Sequence, residues 1–394
     1  MIKNRIKAIF LGLLALPVRR FIKPQKNLWL FGADQGRKYD QNSRYLYEFI
    51  LREHPEINAI WVTQSSEVYN MLVLEGKPVV QNISFTGLYL SIKAELKFVS
   101  TWFNDILYTF PHQKVVMLHH GMPIKKIFYD NVRSSGIQIT LTERVKNFLS
   151  KTILYDYNLE DSCFTPVTSC FYQELMKKAM KNNNVFVLGQ PRTDAFLHLD
   201  SRAIKNKYGI DENAFIVTYM PTHRSYGAGE PSPHVFIDNK NAIDYFKDHN
   251  ITIIWKQHIN MLKKYKNLPA IDCFKELSFD YSVDPQELLF ISDVLITDWS
   301  SCFIDFMLLR RPILFYHYDD YERDDNELYY GSDVLSRIGR ICKNEDELLS
   351  DIKYVFKNGF SSEDMDTWNI FNEFYDDKSC ERCFNKLNEI ITDK

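Results

Sequence analysis

The chain has 394 residues, of which 45% are apolar and 25% charged, with only 14 glycines and 14 prolines. That length exceeds one ordinary core and predicts two domains, and the composition excludes collagen-like and low-complexity classes. A net charge of −3 gives no whole-protein signal for nucleic acid, and no nucleic-acid partner is expected.

Residues 1–26 carry Lys3, Arg5, Lys7, Arg19, Arg20, Lys23 and Lys26 and no acidic residue. Between the basic clusters lies AIFLGLLALPV, too short for a spanning helix, which needs about 20 apolar residues. No small-x-small cleavage site follows, and Arg19-Arg20 stands where a signal peptide would be cut. The segment reads as an amphipathic helix held peripherally on an anionic membrane surface from the cytoplasmic side, with a plain core helix as the alternative. The seven cysteines are scattered and odd in number, which fits a reducing compartment. Cys380 and Cys383 form a C-x-x-C, but no second pair or nearby histidine completes a zinc set, and no metal site is expected.

From residue 27, β-rich apolar runs alternate with helical patterns. Strands are predicted at 27–32, 57–63, 77–81, 95–101 and 114–118, with a helix from Ser43 to Glu53 behind the N-cap-like pair Asn42-Ser43. The rhythm repeats with strands at 185–189, 215–220, 251–257, 293–297 and 312–316. Continuous apolar strands between helices argue for parallel sheets covered on both faces. Two such sets predict two Rossmann-like domains, 27–180 and 181–394, the second ending in helices. Ligands of such sheets sit beyond the carboxyl ends of the strands.

Those ends are rich in functional side chains. The strands deliver, in order, His119-His120-Gly121-Met122-Pro123, Gln190-Pro191-Arg192-Thr193-Asp194, Pro221-Thr222-His223-Arg224, Lys256-Gln257-His258 and Asp298-Trp299-Ser300-Ser301. Serines at a helix start can simply cap it, yet the same geometry offers backbone N–H groups and hydroxyls to a phosphate. No Walker or G-x-G-x-x-G loop is present, which weakens P-loop and dinucleotide readings. If extended geometry continues through His119 and His120, the two point to opposite faces and cannot share a metal. Lys125 and Lys126 read either as a positive field for phosphate or lipid head groups or as a solvated helix start.

Six stretches in order, FGADQGRKYDQNSRYLYEFI, LHHGMPIKKI, LGQPRTD, YMPTHR, WKQH and SDVLITDWSSCFIDFMLLRRPILFY, resemble the CDP-glycerol glycerophosphotransferase family of teichoic-acid primases and polymerases. The likeness runs over residues 27–320. It implies a GT-B fold, two Rossmann-like domains with parallel sheets facing a central cleft, the first on the acceptor side and the second binding a CDP-donor. It implies His120 as general base, with His258 a second catalytic residue. Gly121, Met122, Pro123, Ile124, Arg192, Pro221, Thr222, Arg224, Lys256 and Gln257 would line the donor, Ser300 and Ser301 would hold its diphosphate, and Asp305 would lie near the polyol. The implied reaction moves glycerol phosphate or ribitol phosphate from CDP-glycerol or CDP-ribitol to a lipid-linked or polysaccharide acceptor, in teichoic-acid or capsular polymer synthesis, without a cofactor. By analogy within the family, the length, with no large appended domain, leads us to expect a primase- or capsule-type member rather than a long polymerase.

The chain departs from the family pattern at His119 and His223, where aromatics are usual, and no proline follows His258. Two alternatives remain open: a GT-B glycosyltransferase using a nucleotide sugar, and a non-catalytic membrane scaffold with a degenerate site. No glutamate-x₇-glutamate element near the Ser300-Ser301 anion site supports the first.

Overall fold

A computed structural model describes residues 2–17, 21–110, 113–131, 140, 148, 151–222, 232–257, 268–278, 283–319, 328–359 and 365–392. The chain folds into two compact units. The first comprises Met1–His120, Phe128–Asp194 and Asp376–Lys394, and the second Gly121–Ile127 and Ala195–Tyr375.

In the first unit β1 (Gln25–Gly32), β2 (Asn58–Thr63), β3 (Val79–Gln81), β4 (Ala94–Val99) and β5 (Lys114–Met117) form a sheet ordered β3-β2-β1-β4-β5. All its pairings are parallel. Leu28 to Phe31 on central β1 are buried without interruption, as expected of a strand covered on both faces. β6 (Thr165–Val167) and β7 (Val185–Val187) make a parallel pair that extends from β5, through bonds from Met117 N to Phe164 O and from Cys163 N to Val115 O.

The second unit repeats the plan. β8 (Phe215–Tyr219), β9 (Ile251–Trp255), β10 (Phe274–Glu276), β11 (Val294–Thr297), β12 (Ile313–Tyr316) and β13 (Arg340–Cys342) are ordered β10-β9-β8-β11-β12-β13, again parallel throughout. In both sheets the third, second and first strands run one way from the centre, and the fourth and fifth run the other. That is the doubly wound Rossmann order, with switch points between β1 and β4 and between β8 and β11.

Helices α1 (Ile2–Ala15), α2 (Gln41–Glu53), α3 (Ser66–Leu74), α4 (Phe85–Lys93) and α5 (Cys170–Met180) belong to the first unit. The N-terminal segment forms α1, which packs one face into the unit and leaves another outward. Ala8, Leu11 and Ala15 are buried with Leu88, Ile92, Tyr108, Ile153 and Leu154, and a Cβ on Gly12 would come within 2.6 Å of Ile153 Cγ2. Ile6, Phe10, Leu13 and Leu14, spaced by four, three and one, form an outward apolar face flanked by exposed Arg5 and Lys7. Among the described residues no helix is long and apolar enough to cross a membrane.

The expected division at residue 180 differs from the packing. Residues 181–194 and 376–394 join the first unit, because the C-terminal helix (Ser379–Thr392) buries Cys380, Cys383, Phe384 and Leu387 in the core around Trp29 and Leu46. Phe384 lies 6.0 Å from the Trp29 ring and stacks on His54 at 3.5 Å. Sequence spacing reveals such an apolar face but not the core that receives it. The start of this helix is capped from afar: Asp194 Oδ1 accepts from Ser379 N (3.0 Å) and Oδ2 from Cys380 N (2.7 Å).

Candidate active site

Most of the described candidate residues fall in two groups, one in each unit. In the first unit β5 ends at Met117, and the chain turns sharply: His119 takes φ +60° and Gly121 φ +145°. Left-handed geometry at a histidine is uncommon and must be enforced by its surroundings. It also overturns the expected alternation of the two histidines. Their rings lie on one side, stacked at 4.6 Å and 16°, with Phe128 edge-on to His119 at 5.6 Å. His119 is buried and serves as the packing aromatic of this turn, whereas His120 is exposed.

His120 Nδ1 faces the carbonyl of Ser100 at 3.4 Å. A carbonyl only accepts, so Nδ1 carries the proton and Nε2 keeps its lone pair. Protein packed about the ring, and then the positive charge of Arg192, lower its pKa below the usual imidazole value; the Ser100 bond and Asp34 pull the other way. The net lowering favours the neutral ring. Arg192, expected to line the donor, lies in this group: Nη1 donates to His120 O (2.6 Å) and Gln41 Oε1 (3.0 Å).

Two residues here escaped the sequence reading. Asp105, fully buried, accepts from the amides of Gln35 (2.6 Å), Ser100 (2.9 Å), Thr101 (2.7 Å) and Trp102 (3.4 Å), and so fixes the loops that follow β1 and β4. Burial pushes its pKa up to about 6 against these four N–H donors. Asn42 does not cap α2, which starts at Gln41; its side chain reaches back to the end of β5. An Asn or Asp beside a helix start reads as a cap in any sequence, and no local signal separates these two roles.

In the second unit the group surrounds the β8/β11 switch point. Asp298, fully buried at the end of β11, accepts from Thr222 N at 2.7 Å, and Thr297 Oγ1 donates to Met220 O at 2.8 Å. The two bonds lock the Pro221-Thr222 turn beside the Ser300-Ser301 turn. α6 (Lys240–Asp248) covers β9, and α7 (Pro285–Ile291) precedes β11. α8 (Cys302–Phe306) starts at Ser301, which makes no side-chain capping bond, so the hydroxyl is not used as a plain helix cap would use it. Ser300 is engaged by the thiol of Cys302. Lys256 Nζ donates to Leu277 O at 3.0 Å, and Gln257 is buried, with its amide N bonded to Ser278 Oγ at 2.7 Å.

Asp305 stands apart from this rim. It is buried on α8 and accepts from Gln286 Nε2 of α7 at 3.0 Å, which gives it a packing partner in the interior. Gly121, Met122, Pro123 and Ile124 are likewise buried and join the second unit, where Ile124 O accepts from Tyr329 N at 2.8 Å. Arg224 and His258 lie outside the described residues. Cys380 and Cys383 sit in the first unit's core with thiol pKa values raised by burial, an inert setting. Among the described residues no group of three or more His, Cys, Asp or Glu side chains is placed to hold a metal ion.

A family model described as CDP-Glycerol:Poly(glycerophosphate) glycerophosphotransferase matches residues 15–389. The chain belongs to this family of transferases. It is 27% identical to the teichoic acid glycerol-phosphate transferase of Staphylococcus aureus over 90% of this chain and 91% of that one. It is 26% identical to the teichoic acid poly(glycerol phosphate) polymerase of Bacillus subtilis, of which it spans about half, 49%. A solved structure of the wall teichoic acid polymerase TagF superposes with a TM-score of 0.74 at 17% identity, covering 99% of this chain and 94% of that one. At that identity the likeness shows the fold, α/β with parallel sheets. The six motif stretches quoted from the sequence fall within the span that the family model matches.

Proposed function

We propose that this family member transfers glycerol phosphate or ribitol phosphate from a CDP-activated donor to a hydroxyl of a lipid-linked or surface-glycan acceptor, releasing CMP. The product would belong to teichoic-acid-like or capsular polymer synthesis. The observation that carries the reading is His120: an exposed residue whose lowered pKa favours the neutral imidazole, with Nδ1 facing Ser100 O and Nε2 left to act as a base. The acceptor hydroxyl gives its proton to Nε2 as its oxygen bonds to the β-phosphorus. The bond from that phosphorus to the bridging oxygen breaks, and CMP leaves with the electron pair. Such transfer is mostly positioning and charge neutralisation, and a base of this kind is worth roughly 10²–10⁴ in rate. Ser300, Ser301 and the backbone amides at the start of α8 are assigned to the diphosphate, with Lys256, Arg224 and His258 supplying positive charge. His120 is assigned to the acceptor side.

The outward face of α1 supports peripheral attachment to an anionic membrane on its cytoplasmic side, with Arg5 and Lys7 at the head groups and Phe10, Leu13 and Leu14 among the acyl chains. The decisive experiment incubates the protein with a lipid-linked disaccharide and CDP-glycerol, CDP-ribitol or UDP-sugars, and measures CMP against UDP. CMP release that falls 10²–10⁴-fold in His120→Gln, with unchanged thermal unfolding, is expected. UDP release without CMP would sink the proposal in favour of a nucleotide-sugar glycosyltransferase.

A further inference from the structure

We infer that Asn42 is the positioning residue of the transfer site, its side-chain amide setting the backbone path that aims His120; the inference rests on His120 being the base. Asn42 is fully buried in the first turn of α2. The two hydrogens of its Nδ2 are shared among three acceptors, Leu118 O (3.1 Å), His119 O (2.8 Å) and Gln190 Oε1 (3.2 Å), while its Oδ1 accepts from Arg192 N (3.2 Å). One planar group thus joins three segments distant in sequence: α2, the end of β5 and the 190–192 turn.

The consequence is a continuous clamp on the turn. The carbonyls of Leu118 and His119 are held by Asn42, and the next one, of His120, by Arg192 Nη1. Arg192 is itself fixed through its backbone amide on Asn42. This is the support that left-handed His119 requires, since its φ of +60° is not self-sustaining in a histidine. The neighbour of Asn42 completes the aim. Ser43 bonds Ser100 through its amide (3.1 Å) and hydroxyl (2.7 Å), and Ser100 O is the group that His120 Nδ1 faces. Two consecutive residues therefore hold both the backbone that carries the imidazole and the carbonyl that selects its tautomer.

Only an amide meets the demand. Aspartate would turn a second acceptor toward two carbonyls, serine is too short to span three segments, and glutamine is one methylene too long for a filled site. The asymmetry makes Asn42→Asp, equal in size, the sharp probe. With CDP-glycerol and a lipid-linked acceptor analogue, kcat should fall ten- to a hundredfold while donor KM moves less than threefold. Long-range ¹⁵N-histidine spectra should show His120 as the Nδ1–H tautomer in the parent and a mixture in the variant, and the acid limb of the kcat profile should shift. Activity retained by His120→Gln would remove the base assignment itself. If His120→Gln abolishes transfer but Asn42→Asp keeps kcat, tautomer and acid limb, the inference about Asn42 alone is overturned. Should Asn42→Asp not fold, Asn42→Ser is read in the same way, and failure of both to fold overturns the inference in favour of a purely structural clamp.

Discussion

Replacing Asp194 with alanine should detach the C-terminal helix from its core. The carboxylate receives the amides of Ser379 and Cys380 at 3.0 and 2.7 Å, and all three residues are buried, so water does not readily replace it. A hydrogen bond to a charged group contributes roughly 1.5–3 kcal/mol, which for two bonds would reach about 6. Burial opposes this by raising the Asp194 pKa, a sign that the carboxylate is costly to bury there. A net loss of about 3 kcal/mol follows, above the usual range of about 0.5–2 for an exposed cap. Asparagine keeps one acceptor oxygen and should lose about half as much. Hydrogen–deuterium exchange on a peptide covering 376–392 measures the opening locally, independently of the second unit. At about 1.4 kcal/mol per decade, exchange should rise about 10²-fold in Asp194→Ala and about tenfold in Asp194→Asn. Protection within threefold of the parent in the alanine variant, or equal loss in both, would refute this account of the helix.

The lowered pKa of His120 has a definite sign in the rate. Transfer needs the neutral ring, so the acid limb of kcat/KM should fall below the ordinary imidazole value of about 6.5 and move up in Arg192→Met; a parent limb at or above that value contradicts the reading. In folding the same shift makes the unfolded chain bind the proton first, so this group's contribution to stability is present above about 6.5 and is lost as pH falls below it. On α1, Phe10→Asp with Leu14→Asp should weaken co-sedimentation with anionic phosphatidylglycerol vesicles at least tenfold without unfolding the protein, because both side chains face outward. Unchanged sedimentation would mean that another surface holds the membrane.

Much of the fold was legible because its physics is local. All ten predicted strands form, their ends moving by one or two residues, since unbroken runs such as Leu28–Phe31 and Ile251–Trp255 have no other way to be buried. The strands that escaped notice, Thr165–Val167, Phe274–Glu276 and Arg340–Cys342, have three residues each and, unlike the equally short Val79–Gln81 and Val185–Val187, sit in stretches broken by polar residues or proline. β10 and β13 are sheet edges, and β6 carries a proline. In the site, His120 and the Ser300-Ser301 turn were visible because chemistry follows strands in such sheets. Asn42, Asp105 and Asp298 were not visible in these roles, because each acts through backbone groups that other segments supply.

The sequence by itself therefore determined the strands, their parallel class and the polar residues at their carboxyl ends. Local composition and spacing carry that information whatever the rest of the chain does. Only the tertiary structure decided which core the C-terminal helix joins, that Arg192 stands beside His120, and that the two histidine rings stack. It also decided how Lys97, buried in mid-strand, keeps its amine satisfied, with Tyr108 O, Thr109 Oγ1 and Gln113 Oε1 at 2.9–3.2 Å. Each of these is a pairing between residues far apart in the chain or turned by an uncommon backbone angle. Hydrogen-bond valence and burial settle such pairings only once every segment is in place.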